Sequence, residues 1–392
     1  MPPLHLFIKP ASGNCNLRCE YCFYSDLAEH RLTSSYGIMS TETLENIIKR
    51  AFSYASSECT FSFQGGEPTL AGLSFYQTLL ELCSAYNNKA FTGREIPLKL
   101  HFAIQTNGFR LTEQWARFFA EHHFLVGISL DGTIHTHNAF RKTADGKNTF
   151  EAVMHTIALF QKYQVNYNIL TVVHKKTAAG IDKIYRFYER NHFEYLQFIP
   201  CLAPLDTLPG SPEYALSPEE YGQFLCRLFD LWYFDFKAGR GISIRQFDNY
   251  LSLLLHGYAE ACDMNGICSR QNVIEADGSV YPCDFFVLDQ YRLGNLNEVD
   301  FDTINQKRKE LHFIDYSEKK PADCLTCPYY SLCLGGCMRY RLMGASLSSF
   351  ESFLSSGCGT PPENYFCSSF RHFFSYALPR LQELAALVSR VL

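Results

Sequence analysis

No stretch of the chain approaches the roughly 18 consecutive apolar residues of a membrane span. The opening MPPLHLFIKP also lacks the basic segment and apolar core of a secretory leader. Both absences point to a cytoplasmic protein with no membrane partner. Positive charge is not in excess: 35 Lys and Arg against 40 Asp and Glu leave a net charge of -5. That balance argues against a broad basic face and gives no sign of a nucleic-acid partner. Low-complexity tracts and long charge runs are missing too. What is present is a 392-residue chain with 47% hydrophobic content, enough for a large core and for one big domain beside a smaller one.

Against that ordinary background stand 16 cysteines. Disulfides rarely persist in a reducing cytosol and free thiols oxidise, so metal ligation is the natural use. The spacing agrees, since Cys15, Cys19 and Cys22 form one group, Cys262, Cys268 and Cys283 a second, and Cys324, Cys327, Cys333 and Cys337 a third. Cys358 and Cys367 follow as late candidates, while Cys59, Cys83, Cys201 and Cys226 stand alone and read as small buried hydrophobes.

Short β-rich runs alternate with helical patterns over the first 200 residues. LHLFIK, CTFSFQ, LKLHFAIQ, FLVGISL, NYNILTVV and EYLQFI each precede a loop and, mostly, an amphipathic helix. Several of the helices open on a Thr able to cap the first turn. Six such units predict an α/β fold with a partial (β/α)6 barrel, too few for the closed eight, and chemistry then gathers at the C-terminal strand ends. The three-cysteine group lies just after the first strand. Beyond residue 200, PLDTLPGSPEYALSPEEY reads as a linker or lid, and from Cys262 cysteine density rises as periodicity fades, the mark of a small metal-stapled domain. The expected division is a barrel over 1–235, linker helices and a cysteine-rich domain over 236–375, and a C-terminal helix over 376–392 that packs on the barrel and is bent or divided at Pro379.

Three thiolates fill three corners of a 4Fe-4S cubane and leave one iron open. The competing reading is zinc, with His5 or His30 as a distant fourth ligand. Cys15-x3-Cys19-x2-Cys22 followed by an aromatic pair after a barrel strand resembles the radical S-adenosylmethionine (AdoMet) enzymes. In that superfamily the open iron chelates the methionine moiety, and reductive cleavage of the sulfonium gives a 5'-deoxyadenosyl radical. The resemblance implies that QGGEP (64–68) is the methionine-binding segment, with IQTNG (104–108) and SLDG (129–132) at the next strand ends. It further implies cofactor contacts from Tyr21, Gly66, Ser129, Arg141 and Leu202.

The second and third groups plus one late cysteine make eight thiolates, enough for two fully ligated cubanes and three clusters in all. Their spacing is similar to the SPASM domain of radical peptide-modifying enzymes. By that resemblance Cys262, Cys268, Cys283 and Cys337 hold one auxiliary cluster, and Cys324, Cys327, Cys333 and Cys367 the other. A Ser-rich insert carrying Cys358 competes with Cys367 for the last place.

Within that group the segments LFIKPASGNCNLRCEYCFY, FSFQGGEPTLAGL, FLVGISLDG and DGSVYPCDFFVLDQYRLGN resemble the anaerobic sulfatase-maturating enzymes, almost end to end. The resemblance implies oxidation of a cysteine or serine in an unfolded sulfatase segment of the Cys/Ser-x-Pro-x-Arg type to Cα-formylglycine, fed by a low-potential electron donor. It makes Asp284 the base that deprotonates substrate, next to the cluster ligand Cys283. Asp277 and Asp289 are nearby competitors, Asp277 in ADGSV reading better as a turn former. Two other readings are a different SPASM maturase that crosslinks a peptide, disfavoured because the first strand comes within ten residues, and a non-catalytic metal-binding or electron-transfer protein.

Overall fold

A computed structural model describes residues 3–343 and 361–389. Its contacts divide the chain into two compact units that interleave in sequence. The first comprises 1–129, 142–167 and 270–311, the second 130–141, 168–269 and 312–392.

In the first unit the strands β1 (Leu4–Ile8), β2 (Glu58–Phe63), β3 (Lys99–Thr106) and β4 (Leu125–Ser129) are neighbours in that order and run parallel. Helical crossovers join them. The crossover helix Thr41–Tyr54 shows why this sequence is helical, because Leu44, Ile47, Ile48, Ala51 and Phe52 fall on one buried stripe and Ser40 caps the start by accepting the Thr43 N–H. The expected Thr caps are less effective. Thr41 is already inside that helix, and Thr112 and Thr149 stand at N-caps without a side-chain bond to the helix.

A late hairpin completes this unit. β8 (Val273–Ile274) pairs parallel with β1, and β9 (Ser279–Tyr281) returns antiparallel beside it. The turn between them contains Gly278 at φ +87° and Asp277, whose carboxylate accepts the Ser279 N–H at 3.0 Å. Asp277 is thus the turn former its setting predicts. β10 (Gly294–Asn295) pairs antiparallel with β9 at the edge.

In the second unit β5 (Asn166–Val173, its first two residues belonging to the first unit), β6 (Tyr195–Pro200) and β7 (Ser243–Ile244) are parallel neighbours. The helix Cys367–Val388 runs through Pro379 without a break, contrary to the expected division there. It packs along the helix Pro218–Lys237, where Arg380 donates to Asp230 at 2.8 Å and Phe373 meets Phe229 edge-on. Both units show the α/β architecture that the alternating pattern predicted. No helix among the described residues is long and apolar enough to cross a membrane.

Candidate functional site: the cysteine loop and its carboxylate

The loop after β1 carries Cys15, Cys19 and Cys22, and Cys22 is the last residue before the short helix α1 (Phe23–Glu29). Its backbone is stitched to QGGEP. Gly66 N–H donates to Ser12 O at 3.0 Å and Glu67 N–H to Asn14 O at 2.8 Å. A Cβ on Gly66 would lie 2.1 Å from Asn14 O, so this position admits only glycine. These two N–H groups are therefore bonded within the protein.

Glu67 is buried and does not point outward. Its carboxylate accepts from Thr69 Oγ1 (2.6 Å), Thr106 Oγ1 (2.8 Å) and the Asn107 N–H (2.8 Å), tying the loops after β2 and β3 together.

Asp284 arrives from the other direction. The β8–β9 hairpin beside β1 leads to Cys283, directly before the 3-10 turn Asp284–Phe286, and Tyr24 on α1 donates its hydroxyl to Asp284 Oδ2 at 2.6 Å. Phe23 meets Phe285 edge-on at 4.9 Å and completes this contact. Asp284 Oδ1 is buried without a partner within the protein. Burial pushes the carboxyl up to about 6, against the pull of Lys9 and the Tyr24 hydroxyl. An acceptor poised near neutrality and unpaired on one oxygen is what a general base needs.

Behind it lies a buried ion triad that sequence reasoning missed. Glu275 Oε1 takes both Lys9 Nζ (2.6 Å) and Arg31 Nη1 (2.7 Å). Burial alone would raise Glu275, but the two cations outweigh it and hold it down to about 2. Lys9 Nζ also sits 5.2 Å from the Tyr24 ring centroid. A lysine directly after a hydrophobic strand was the available signal. Asp289 has a separate task, accepting the Leu32 N–H at 2.7 Å.

Of the remaining predicted residues of the first unit, Tyr21 is buried beside the cysteines and Ser129 ends β4, half-buried. In the second unit Arg141 is buried on Asp131, Nε to Oδ2 at 2.9 Å, and Leu202 is buried just after β6. Arg339 Nη2 donates to Ala203 O at 2.8 Å and fixes that loop.

The second unit gathers most of the later cysteines. Cys324, Cys327, Cys333 and Cys367 line one cavity with Phe370 and Arg371. Burial raises the Cys337 thiol, and Cys268 and Cys262 lie close enough to add to it; burial likewise raises Cys268, with Cys262 adding to it. Cys283 belongs to the first unit. Cys358 lies outside the described residues. Cys59, Cys83 and Cys201 are buried as expected, whereas Cys226 is only half-buried.

Two observations test whether these sets fit iron-sulfur clusters. Four thiols, Cys324, Cys327, Cys333 and Cys367, line one cavity that no His, Asp or Glu lines. Ligands of one zinc all sit within about 2.3 Å of it, whereas a cubane spreads its thiolates over separate irons. The two histidines considered for zinc are also engaged elsewhere: His5 Nε2 is 2.7 Å from Ser62 Oγ, and His30 Nδ1 is 2.8 Å from Asp26 O. The thiols suit clusters.

Comparison with known proteins agrees. Residues 10–188 match the Radical SAM superfamily and residues 262–328 the SPASM iron-sulfur cluster-binding domain. The chain is 46% identical to a cysteine-type anaerobic sulfatase-maturating enzyme of Clostridium perfringens, over 98% of this chain and 99% of that one. It is 32% identical to a serine-type enzyme of Bacteroides thetaiotaomicron, over 96% and 90%. The solved structure of native anSMEcpe with bound AdoMet and Kp18Cys peptide superposes with a TM-score of 0.89 at 44% identity, covering 98% of this chain and 99% of that one. The chain belongs to the anaerobic sulfatase-maturating enzymes, radical AdoMet oxidoreductases that carry a SPASM domain and 4Fe-4S clusters.

Proposed function

We propose that the protein oxidises the cysteine of a sulfatase signature peptide of the Cys-x-Pro-x-Arg type to Cα-formylglycine in the cytoplasm, and accepts serine less well. The observation that carries this reading is the buried, half-unpaired Asp284 carboxylate joined through Tyr24 to the loop of Cys15, Cys19 and Cys22. The preference for cysteine rests on the greater identity to the cysteine-type relatives.

In this reading Cys15, Cys19 and Cys22 hold the cluster that binds AdoMet. Tyr21, Gly66, Ser129, Arg141 and Leu202 hold AdoMet itself, Gly66 by the close backbone approach it permits and Arg141 through a guanidinium that Asp131 keeps oriented. Cys262, Cys268, Cys283 and Cys337 hold one auxiliary cluster, and Cys324, Cys327, Cys333 and Cys367 the other. Bound, these groups supply a hydrogen-abstracting radical and a nearby electron acceptor. Asp284 takes the substrate thiol or hydroxyl proton, which must leave with one further electron after the Cβ hydrogen is removed. Tyr24 holds the carboxylate in place. A low-potential electron donor completes the requirements.

The test is anaerobic incubation with AdoMet, a reductant and matched Cys and Ser peptides, followed by mass spectrometry. The expected result is an aldehyde peptide and 5'-deoxyadenosine, faster with the Cys peptide. Deoxyadenosine without aldehyde would favour a crosslinking maturase, and equal rates would remove the cysteine preference.

A further inference from the structure

The loop after β3 contains a side chain aimed at one of the three N-terminal cysteines. Asn107 is buried, and its Nδ2 lies 3.6 Å from Cys15 Sγ and 2.8 Å from Asn16 Oδ1. The amide cannot turn over without loss, because its Oδ1 accepts the Phe109 N–H at 2.8 Å, which leaves the NH2 group facing the sulfur. The main chain at this residue is equally fixed. Asn107 N–H donates to Glu67 Oε2, and the carbonyl of Gly108, at φ +68°, accepts from the Thr156 hydroxyl at 2.7 Å. A second donor reaches the same sulfur, the Leu17 N–H at 3.4 Å. Leu17 is itself held by a bridge to Thr143.

Hydrogen bonds to cysteine sulfur are one of the levers by which a protein sets the reduction potential of an iron-sulfur cluster. Reduction adds negative charge to the cluster and its thiolates, so a donor at the sulfur stabilises the reduced form more than the oxidised form. We propose that Asn107 is a positioning residue that raises the potential of the AdoMet-binding cluster by donating to Cys15 Sγ, with Glu67 as the brace that holds it. This rests on the reading that Cys15, Cys19 and Cys22 hold that cluster.

Two variants separate the sulfur contact from the integrity of the loop. Asn107→Leu removes the donor and also the acceptor of the Phe109 N–H. Asn107→Asp keeps that acceptor, so the turn stays closed, but replaces the donor with an anion beside the sulfur. The measurement is an anaerobic redox titration of the full-length, iron-loaded protein by electron paramagnetic resonance, following the signal that changes when AdoMet is added.

A charge-assisted bond of this kind is expected to shift the reduction equilibrium about tenfold, which is 59 mV for a one-electron couple. Both variants should have the lower potential, Asp by at least as much as Leu. An unchanged potential in Asn107→Asp would overturn the proposal even if Asn107→Leu shifts, since the effect would then belong to the loop. If the wild-type protein shows no AdoMet-responsive cluster, the reading beneath it falls as well. That outcome is distinct from a normal wild-type signal with unshifted variants.

Discussion

The cysteine loop of the first unit and the cysteines of the second are anchored in different ways. The first hangs on a parallel sheet: main-chain bonds tie it to QGGEP, and Arg18 N–H reaches Lys142 O at 2.7 Å. The second sits on four-residue helices, Ala322–Leu325, Tyr330–Cys333 and Met338–Arg341. Cations there bond main-chain carbonyls in place of regular structure: the buried Arg341 donates Nη2 to Ser317 O at 2.8 Å, and the half-buried Lys320 donates Nζ to Gly266 O at 2.6 Å. A site that must leave one position open needs a frame that exists without the metal. Fully ligated clusters can serve as the frame themselves, because their binding energy is folding energy.

The strongest way to break that contrast is to empty one side. Replacing Cys15, Cys19 and Cys22 together by Ala should abolish AdoMet cleavage while iron for two cubanes, about eight atoms per chain, remains. Conversely, anaerobic chelation of the wild type should expose 312–343 to protease before the sheet of the first unit. Retained cleavage in the triple variant, or equal protection of both regions, would dissolve the distinction.

A smaller effect separates radical generation from substrate oxidation. Asp284→Asn keeps the size and the Tyr24 contact but removes the proton acceptor, so aldehyde formation should fall about 100-fold or more while deoxyadenosine production survives. Asp289→Asn, which can still accept the Leu32 N–H, should be mild. Near-normal product from Asp284→Asn would place the base elsewhere.

How far these features could be read in advance depends on the range of the interactions behind them. The six strands, the turn at Asp277 and the three-cysteine loop follow from local pattern, and the structure has them where that pattern put them. The interleaving of the two units was not legible. It comes from β1 pairing with β8 across some 265 positions, a contact that no window of sequence contains, and this pairing brings Asp284 to Tyr24. The Glu275 triad was hidden for the same reason, since Lys9 and Arg31 reach it from the other end of the sequence. At Gly66 the resemblance pointed to a cofactor contact, and the structure shows the backbone of Asn14 pressed against it, a contact from a neighbouring loop that local pattern does not contain.

That glycine has a counterpart in the second unit. A Cβ on Gly266, at φ +67°, would lie 2.0 Å from Leu334 O in the second unit. Overpacking of this kind costs about 1–3 kcal/mol, roughly a 5- to 150-fold change in an equilibrium. Gly66→Ala should weaken AdoMet binding by about that factor and spare the auxiliary clusters. Gly266→Ala should lower auxiliary iron and spare AdoMet binding. Isothermal titration and iron analysis read the two, and a crossed result would mean that neither glycine acts through the loop it packs in.

The least effect on chemistry and the clearest on stability is expected at the triad. Glu275→Leu strands Lys9 and Arg31 as buried cations, at a cost of about 3–5 kcal/mol and a melting shift on the order of 10 °C. Lys9→Met is milder, because Arg31 still neutralises Glu275 at 2.7 Å. The pH dependence has a definite sign. With the folded carboxyl held at about 2 against an ordinary value of 4.5, the contribution of Glu275 is complete above 4.5 and fades as pH falls toward 2. Wild type should therefore lose stability over that window more steeply than Glu275→Leu, by calorimetry of the iron-loaded protein. Equal melting of Lys9→Met and Glu275→Leu would show that the carboxylate is not the element joining the two cations, and that the frame behind Asp284 is held by packing alone.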